Sequence, residues 1–507
     1  MALHHAFEHT ARRLPDKLAL VSGDERVAYG ELLRRVHALA DALHDDGVVP
    51  GDRVLVLLEN SVEFAVAVHA VLALGAVFVP ISPLVKVDKL SFIAGDTRAS
   101  AMLTHAQLAP AWQPALRAAG TLHCCRVAGD MHRLDADARV RPWLPDAAPS
   151  RRAEPERGEH ELAAVVYTSG TTGIPKGAML THANIASAWT SIQAYLGLRD
   201  DDVIGLALPA AFTYGLSNLM PGLAIGATVV LDRWAAFPVK VAEMLARERV
   251  TVFPGVPTLF ASLLGLRSLS NFDLGALRLL TNAASALPQS HAQRLREAFP
   301  RANLFLMYGM TECIRASYLP PQELDRRPGS VGRGIVHQSH WLVDEAGRRL
   351  PAGASGELVV SGPHVMQGYW ERPAETAERL KPGIDGGQVL HTGDLFRSDA
   401  DGYLYFLSRK DDIIKTRGEK VAPLEVENAI YQLDSVTGCA VVGVADDALG
   451  HAVKAYVTIR PGSGLRERDI IKHCLARLEN YMAPKFVEIV DELPRTESGK
   501  VRHASLR

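Results

Sequence analysis

Cysteine is scarce in this chain of 507 residues, and its five positions (Cys124, Cys125, Cys313, Cys439, Cys474) show no paired metal-ligand spacing. An odd count with two adjacent members also argues against a disulfide framework, so a reduced, cytoplasmic setting is expected. Charge of one sign is lacking too. The formal net charge is −2, which gives no reason to expect nucleic acid or an anionic membrane as partner. No secretory leader is visible, since Met1 to Thr10 carries three histidines and no long apolar core. His4, His5 and His9 lack the companions of a metal site and are expected at the surface. The longest apolar stretch, Phe64 to Ile81, contains His69 and Gly75. It divides into a helix followed by a strand, so no integral membrane segment is expected.

A chain of this length exceeds what one core usually holds, so two or more domains are expected. Arg53 to Leu58 reads as a buried strand. Asn60 can cap the following helix with Glu63 completing a capping box, Gly75 can end it, and Val77 to Val79 begins the next strand. The same strand–helix–strand rhythm runs through Thr228 to Leu231, Val241 to Glu248 and Val250 to Phe253. It implies α/β architecture with parallel-sheet layers in a large N-terminal domain, residues 1–408. Pro145 to His160 is polar and reads as an exposed connection. After Arg409 the texture changes. Helices over Leu424 to Leu433 and Arg466 to Leu478 alternate with strands at Val441 to Val444, Val453 to Ile459 and Phe486 to Val490. A small C-terminal α+β domain, residues 409–507, is the economical reading.

What is abundant is concentrated in Tyr167-Thr168-Ser169-Gly170-Thr171-Thr172-Gly173-Ile174-Pro175-Lys176-Gly177. Three glycines and four aliphatic hydroxyls accompany one lysine, directly after the apolar run Leu162 to Val166. A buried strand entering such a loop offers backbone N–H groups, hydroxyls and one ammonium to a polyanion, as nucleotide phosphates require. It is not a Walker A loop. Gly170 and Gly173 are too close, and Gly177 stands where Walker A needs Ser or Thr.

This loop resembles the signature of the adenylate-forming enzymes, which include acyl- and aryl-CoA ligases, peptide-synthetase adenylation domains and luciferases. Further motifs match in the expected order, so the resemblance covers essentially the whole chain. It implies that Tyr308-Gly309-Met310-Thr311-Glu312 forms the adenine side, with Tyr308 stacked on the base and Glu312 holding Mg²⁺. Asn282, Ala283 and Ala284 also belong to the adenine side, in a segment less glycine-rich than usual. Asp394, in Thr392-Gly393-Asp394, would take the ribose hydroxyls, and Phe406 and Arg409 complete the nucleotide site. Lys500 resembles the family's catalytic lysine, acting with Thr168, Lys176 and Glu312. Asp411 matches the hinge about which the small domain turns, and Gly418 lies in the loop that then lines the thiol's approach. Ser408 replaces a frequent glycine before Arg409, which implies a stiffer hinge. Cys313 is read as an apolar filler rather than a nucleophile.

Phe212, Thr213, Tyr214 and Gly215 correspond to the acid pocket. Amino-acid-activating members carry an aspartate near Thr213. Without it a substrate ammonium would be buried unpaired, so a plain acyl or aryl acid is expected. The implied reaction uses ATP and Mg²⁺ to form an acyl-adenylate, then coenzyme A to form a thioester. An acyl or peptidyl carrier protein, presenting phosphopantetheine, is the alternative acceptor. A luciferase-like oxidation and a non-catalytic nucleotide or acyl sensor are more remote readings.

Overall fold

The computed structural model describes residues 2–143, 158–169, 174–233, 237–383, 387–416, 419–446, 449–496 and 501–506. Two mainly parallel sheets organise the N-terminal part. In the first, Leu18–Ser22, Thr228–Leu231, Val203–Leu206, Val252–Gly255, Leu279–Asn282 and Asn303–Tyr308 run side by side in that order. In the second, the parallel neighbours are Leu162–Ser169, Val77–Ile81, Arg53–Leu57, Ala101–His105, Cys124–Ala128 and Val140–Pro142. Such strands are buried on both faces, which is why Arg53–Leu57 and Val77–Ile81 read as continuous apolar runs rather than alternating ones.

The apolar stretch divides as expected into the helix Val62–Ala73 and the strand Val77–Ile81. Every helix residue except Glu63 is buried, the state expected of a helix that is apolar all round. Among the described residues no helix is long and apolar enough to cross a membrane. Gly75 takes φ +74° just past the helix end, where a left-handed residue closes the turn. The helix start differs from expectation by one residue. Ser61, not Asn60, is the cap, accepting from the Phe64 N–H at 3.3 Å.

Asn60 is instead a clamp between the two sheets. Its Nδ2 donates to the carbonyls of Leu206, Leu208 and Asp232, and its Oδ1 accepts from the Ala210 N–H at 2.8 Å. His4 also departs from expectation. It is buried, because the helix Leu3–Arg13 packs the face carrying Leu3, Phe7 and Ala11 against the core. Burial, and next the neighbouring His5, lower its pKa to about 4. Of the expected exposed connection from Pro145 to His160, only 158–160 are described, and they are exposed.

An antiparallel sheet follows, built from Ser339–Val343, Ser355–Ser361, Gln388–Ser398, Leu380–Pro382 and Leu404–Arg409. After the turn Lys410–Asp412 the chain forms a separate sheet from Ile414–Thr416, Glu419–Val421, Val436–Asp446, Gly450–Ile459 and Phe486–Ile489. The helices Pro423–Ile430 and Glu467–Leu475 pack on it around a core of their own, including Val426, Ile430, Val441, Val457 and Ile470. The expected α/β architecture, a large parallel-sheet part and a smaller C-terminal α+β part, is therefore observed.

Replacing Asn60 with Ala strands the buried Ala210 N–H and takes a donor from the carbonyls of Leu206, Leu208 and Asp232. Asn60→Ala is expected to cost about 2–4 kcal/mol. Urea unfolding monitored by fluorescence checks this, and an unchanged midpoint contradicts the clamp.

Candidate functional site

The chemistry-bearing residues gather where parallel strands end. Asn282 and Tyr308 are the last residues of neighbouring strands of the first sheet, and Leu208 to Gly215 follows a third strand of that sheet. Ligands of open α/β sheets bind at these carboxyl ends, because loops there diverge and expose backbone groups.

The phosphate-loop residues Thr168 and Lys176 face each other across the antiparallel pair Leu162–Ser169 and Pro175–Thr181. Ser169 ends the first of these strands, while Gly170, Thr171, Thr172 and Gly173 lie outside the described residues. The Lys176 ammonium sits over the Tyr369 ring, 5.7 Å from its centroid. The Tyr369 hydroxyl donates to Glu312 Oε1 at 2.7 Å. One aromatic side chain therefore ties the lysine of the loop to the candidate metal carboxylate. Burial, then the negative Glu312, push the Tyr369 phenol well above its ordinary pKa, so it remains a donor. Glu312 is itself only 7% exposed, and among the described residues Tyr369 is the only donor to its carboxylate. One carboxylate oxygen thus remains for a hard cation, the ligand type Mg²⁺ takes.

A second cluster surrounds Asp394. The Tyr308 hydroxyl donates to Asp394 Oδ2 at 2.6 Å, and Arg409 Nε lies 3.6 Å from Oδ1. Asp394 and Arg409 are cross-strand partners, so sheet register brings the two charges together. The Tyr308 ring meets Phe396 edge-on at 4.8 Å and lies nearly parallel to Phe406 at 6.4 Å. The Thr392 hydroxyl accepts from the Asp394 N–H at 3.2 Å and fixes the turn. Gly393 takes φ +72°, and an added Cβ there would strike the Arg379 guanidinium.

The adenine-side segment carries visible strain. Ala284 stands at φ +71°, a left-handed conformation glycine takes without penalty and alanine does not. Asn282 Nδ2 donates to the Ser285 carbonyl at 3.0 Å, bracing the turn, and Ala283 is buried. Gly309 can carry no side chain, since a Cβ would lie 2.5 Å from the Ile314 carbonyl oxygen. Met310 and Thr311 are half-buried beside it.

In the candidate acid pocket, Phe212 precedes the helix Thr213–Ile225 and is half-buried. Thr213 lines a small apolar cavity with Phe78, Val166, Trp189, Ser217 and Ile314. The Tyr214 hydroxyl is held by the Thr281 carbonyl at 2.9 Å. Gly215 permits close packing rather than ligand contact, because a Cβ would lie 2.3 Å from the Pro209 carbonyl oxygen. Cys313 is fully buried, and burial pushes its thiol up to about 12, which excludes a thiolate at neutral pH.

Asp411 is exposed in the turn Lys410–Asp412. Lys410 is anchored to Glu357 at 3.1 Å, and Ser408 is buried with its hydroxyl on the Arg409 carbonyl at 2.8 Å. Gly418 and Lys500 lie outside the described residues. Sequence reasoning missed Tyr369 and Glu357. Each acts on a partner distant in sequence, and only the Gly-Tyr-Trp run at 368–370 marks Tyr369 as unusual.

A family model described as AMP-binding enzyme matches residues 7–370, and one described as AMP-binding enzyme C-terminal domain matches residues 425–500. The chain is 35% identical over 505 residues to a feruloyl-CoA synthase of an Amycolatopsis species, covering 98% of this chain and 96% of that one. It is 31% identical over 530 residues to a long-chain-fatty-acid–CoA ligase of Escherichia coli, covering 99% and 93%. Among solved structures, it resembles an anthranilate CoA ligase in complex with anthranoyl-AMP, with TM-score 0.92, 28% identity and coverage of 100% and 96%. A benzoate CoA ligase from Burkholderia xenovorans superposes with TM-score 0.89, 26% identity and full coverage of both chains, 100% and 100%.

Burial alone would raise the Glu357 carboxyl, but His391, Lys410 and the Gly393 N–H outweigh it and lower the pKa from 4.5 to about 2. A depressed carboxylate stabilises the fold above its ordinary pKa, and that stability fades as pH falls from 4.5 through about 2. Because Lys410 is half exposed, Glu357→Gln is expected to cost about 2 kcal/mol at pH 7. The gap from the parent should close below pH 4.5. Urea midpoints between pH 7 and 3 measure it, and a pH-independent gap contradicts the ion pair.

Proposed function

Because this chain belongs to the AMP-binding enzyme family, we propose specific roles for its residues in an ATP-dependent, AMP-forming acid–thiol ligase of the acyl- or aryl-CoA type. The observation that carries this reading is whole-length similarity to CoA ligases, covering 98% of this chain and 96% of the feruloyl-CoA synthase relative. The acid's carboxylate attacks the α-phosphate of ATP, pyrophosphate leaves, and the thiol of coenzyme A then displaces AMP from the acyl-adenylate.

The first step brings two anions together. At about 4 Å and an effective dielectric near 20, their repulsion is roughly 4 kcal/mol, so fixed cations at the phosphates matter. Lys176, with Thr168, Ser169, Gly170, Thr171, Thr172 and Gly173, cradles the phosphates. Lys500 completes the charge balance at the reacting oxygens. Glu312 would hold Mg²⁺, which when bound neutralises phosphate charge. Asp394 accepts from the ribose hydroxyls, and Arg409, paired with Asp394 at 3.6 Å, steadies it. Asn282, Ala283, Ala284, Tyr308, Gly309, Met310, Thr311 and Phe406 enclose the base and sugar.

Residues 1–408 hold the nucleotide and acid, while residues 409–507 act as a lid carrying Lys500. The lid turns at Asp411, so that Gly418 and its neighbours replace Lys500 beside the adenylate when the thiol arrives. Coenzyme A is the acceptor we favour, with a free-standing carrier protein as its competitor. The substrate is a small carboxylic acid without an α-ammonium group, and the site of action is the cytoplasm.

The reading is tested by supplying Mg-ATP, an acid panel and either coenzyme A or purified carrier protein. Acid-dependent thioester on coenzyme A is expected, and acylation of the carrier alone would replace coenzyme A as acceptor. Lys500→Ala should slow adenylate formation on the order of 10²-fold or more. Thioester formation from preformed acyl-adenylate should be spared, and equal loss of both steps removes Lys500 from its role.

A further inference from the structure

The turn that follows Glu312 holds a second, opposite charge. Arg315 is 2% exposed and forms no ion pair with a carboxylate among the described residues. Its guanidinium lies over the Tyr214 ring, 5.2 Å from the centroid. The Tyr195 hydroxyl sits beside it, itself donating to the Met307 sulfur at 3.0 Å. The Tyr195 ring stacks on Tyr318 with centroids 4.0 Å apart. One hydroxyl and an aromatic face thus stand beside a group with five N–H donors, and among the described residues Nε has no acceptor. Removing a guanidinium from water is costly, and aromatic faces return only part of that cost. The preceding Ile314 stands at φ +61°, a conformation that a β-branched residue adopts only under strain.

The placement of this cation is informative. Glu312 faces the Tyr369 hydroxyl, and the Tyr369 ring in turn lies under Lys176, on the phosphate-loop side of the turn. Arg315 faces Tyr214, whose neighbour Thr213 lines the apolar cavity together with Ile314. The same turn therefore presents a carboxylate toward the phosphates and a cation toward the acid pocket. The reacting carboxylate has Lys176 and Lys500 for its charge, which leaves Arg315 for the other end of the acid.

Resting on the ligase reading above, we propose that Arg315 is a specificity-determining residue and that the substrate is a dicarboxylic acid. Its second carboxylate, remote from the one adenylated, pairs with the buried guanidinium. The planar fork of guanidinium donors matches a carboxylate with two parallel hydrogen bonds, which lysine cannot reproduce. A monocarboxylic acid of equal length leaves the cation unpaired, and a substrate ammonium is repelled. The absence of an aspartate at Thr213 points the same way.

The test is kcat/KM for pyrophosphate release with matched pairs of aliphatic and aryl acids that differ only in a second carboxylate. The wild-type enzyme is expected to favour the dicarboxylate on the order of 10³-fold, because a site built around a polar partner rejects the analogue lacking it. Arg315→Met should abolish or reverse that ratio, with the monocarboxylate unchanged or improved, and Arg315→Lys should keep part of it. If the methionine variant does not fold, the lysine variant and the wild-type ratio decide. Parallel loss of both acids in either folded variant assigns Arg315 a structural role and overturns the proposal. A wild-type enzyme that turns over monocarboxylates as well as dicarboxylates overturns it while leaving the ligase reading intact. Release with no acid at all removes the ligase reading as well.

Discussion

Two buried carboxylates, Glu312 and Asp394, are each held by a tyrosine hydroxyl, at 2.7 and 2.6 Å. That choice of partner constrains the rest of the site. A carboxylate locked to a buried arginine would have its charge spent, whereas a phenol fixes its position and leaves the charge available. The cations stand further off. Among the described residues the Lys176 ammonium lies over the Tyr369 ring, and Arg409 lies 3.6 Å from Asp394. Under the proposed function, a cation would meet Glu312 and ribose hydroxyls would meet Asp394.

The fold exists to bring these groups to one edge. Parallel strands of the first sheet deliver Asn282 and Tyr308 side by side, and cross-strand register in the antiparallel sheet delivers Asp394 beside Arg409. The Asn60 clamp ties the second sheet to the ends of the first, and Glu357 tethers Lys410 immediately before Asp411. Two residues at the same edge hold strained backbone, Ala284 at φ +71° and Ile314 at φ +61°. These are costs that a rigid scaffold can sustain where geometry matters most.

The legible part of the site was the part that is local in sequence. A phosphate loop, a Tyr-Gly-x-Thr-Glu turn and a Thr-Gly-Asp turn each need particular residue types within a few positions, so they can be read directly. The division into parallel layers and a small α+β part was readable too, from apolar runs long enough for a strand and too short for anything else. What could not be read was pairing across the fold. Tyr369 lies 57 residues from Glu312. Asn60 looked like a cap because its carbonyl-binding partners lie about 150 residues away, at Leu206 to Ala210. His4 looked like a surface residue because its burial depends on how the first helix packs. Arg315 drew no notice in the sequence, since an arginine gains its meaning only once it is seen buried without a carboxylate.

The central claim is that this edge forms an acyl-adenylate before any thiol takes part. Exchange of labelled pyrophosphate into ATP, measured with Mg-ATP and a panel of mono- and dicarboxylic acids and no thiol, tests it most directly. Exchange that depends on the acid and is lost in Glu312→Gln is the expected result. Exchange that appears only when coenzyme A is added, or not with any acid, would contradict it.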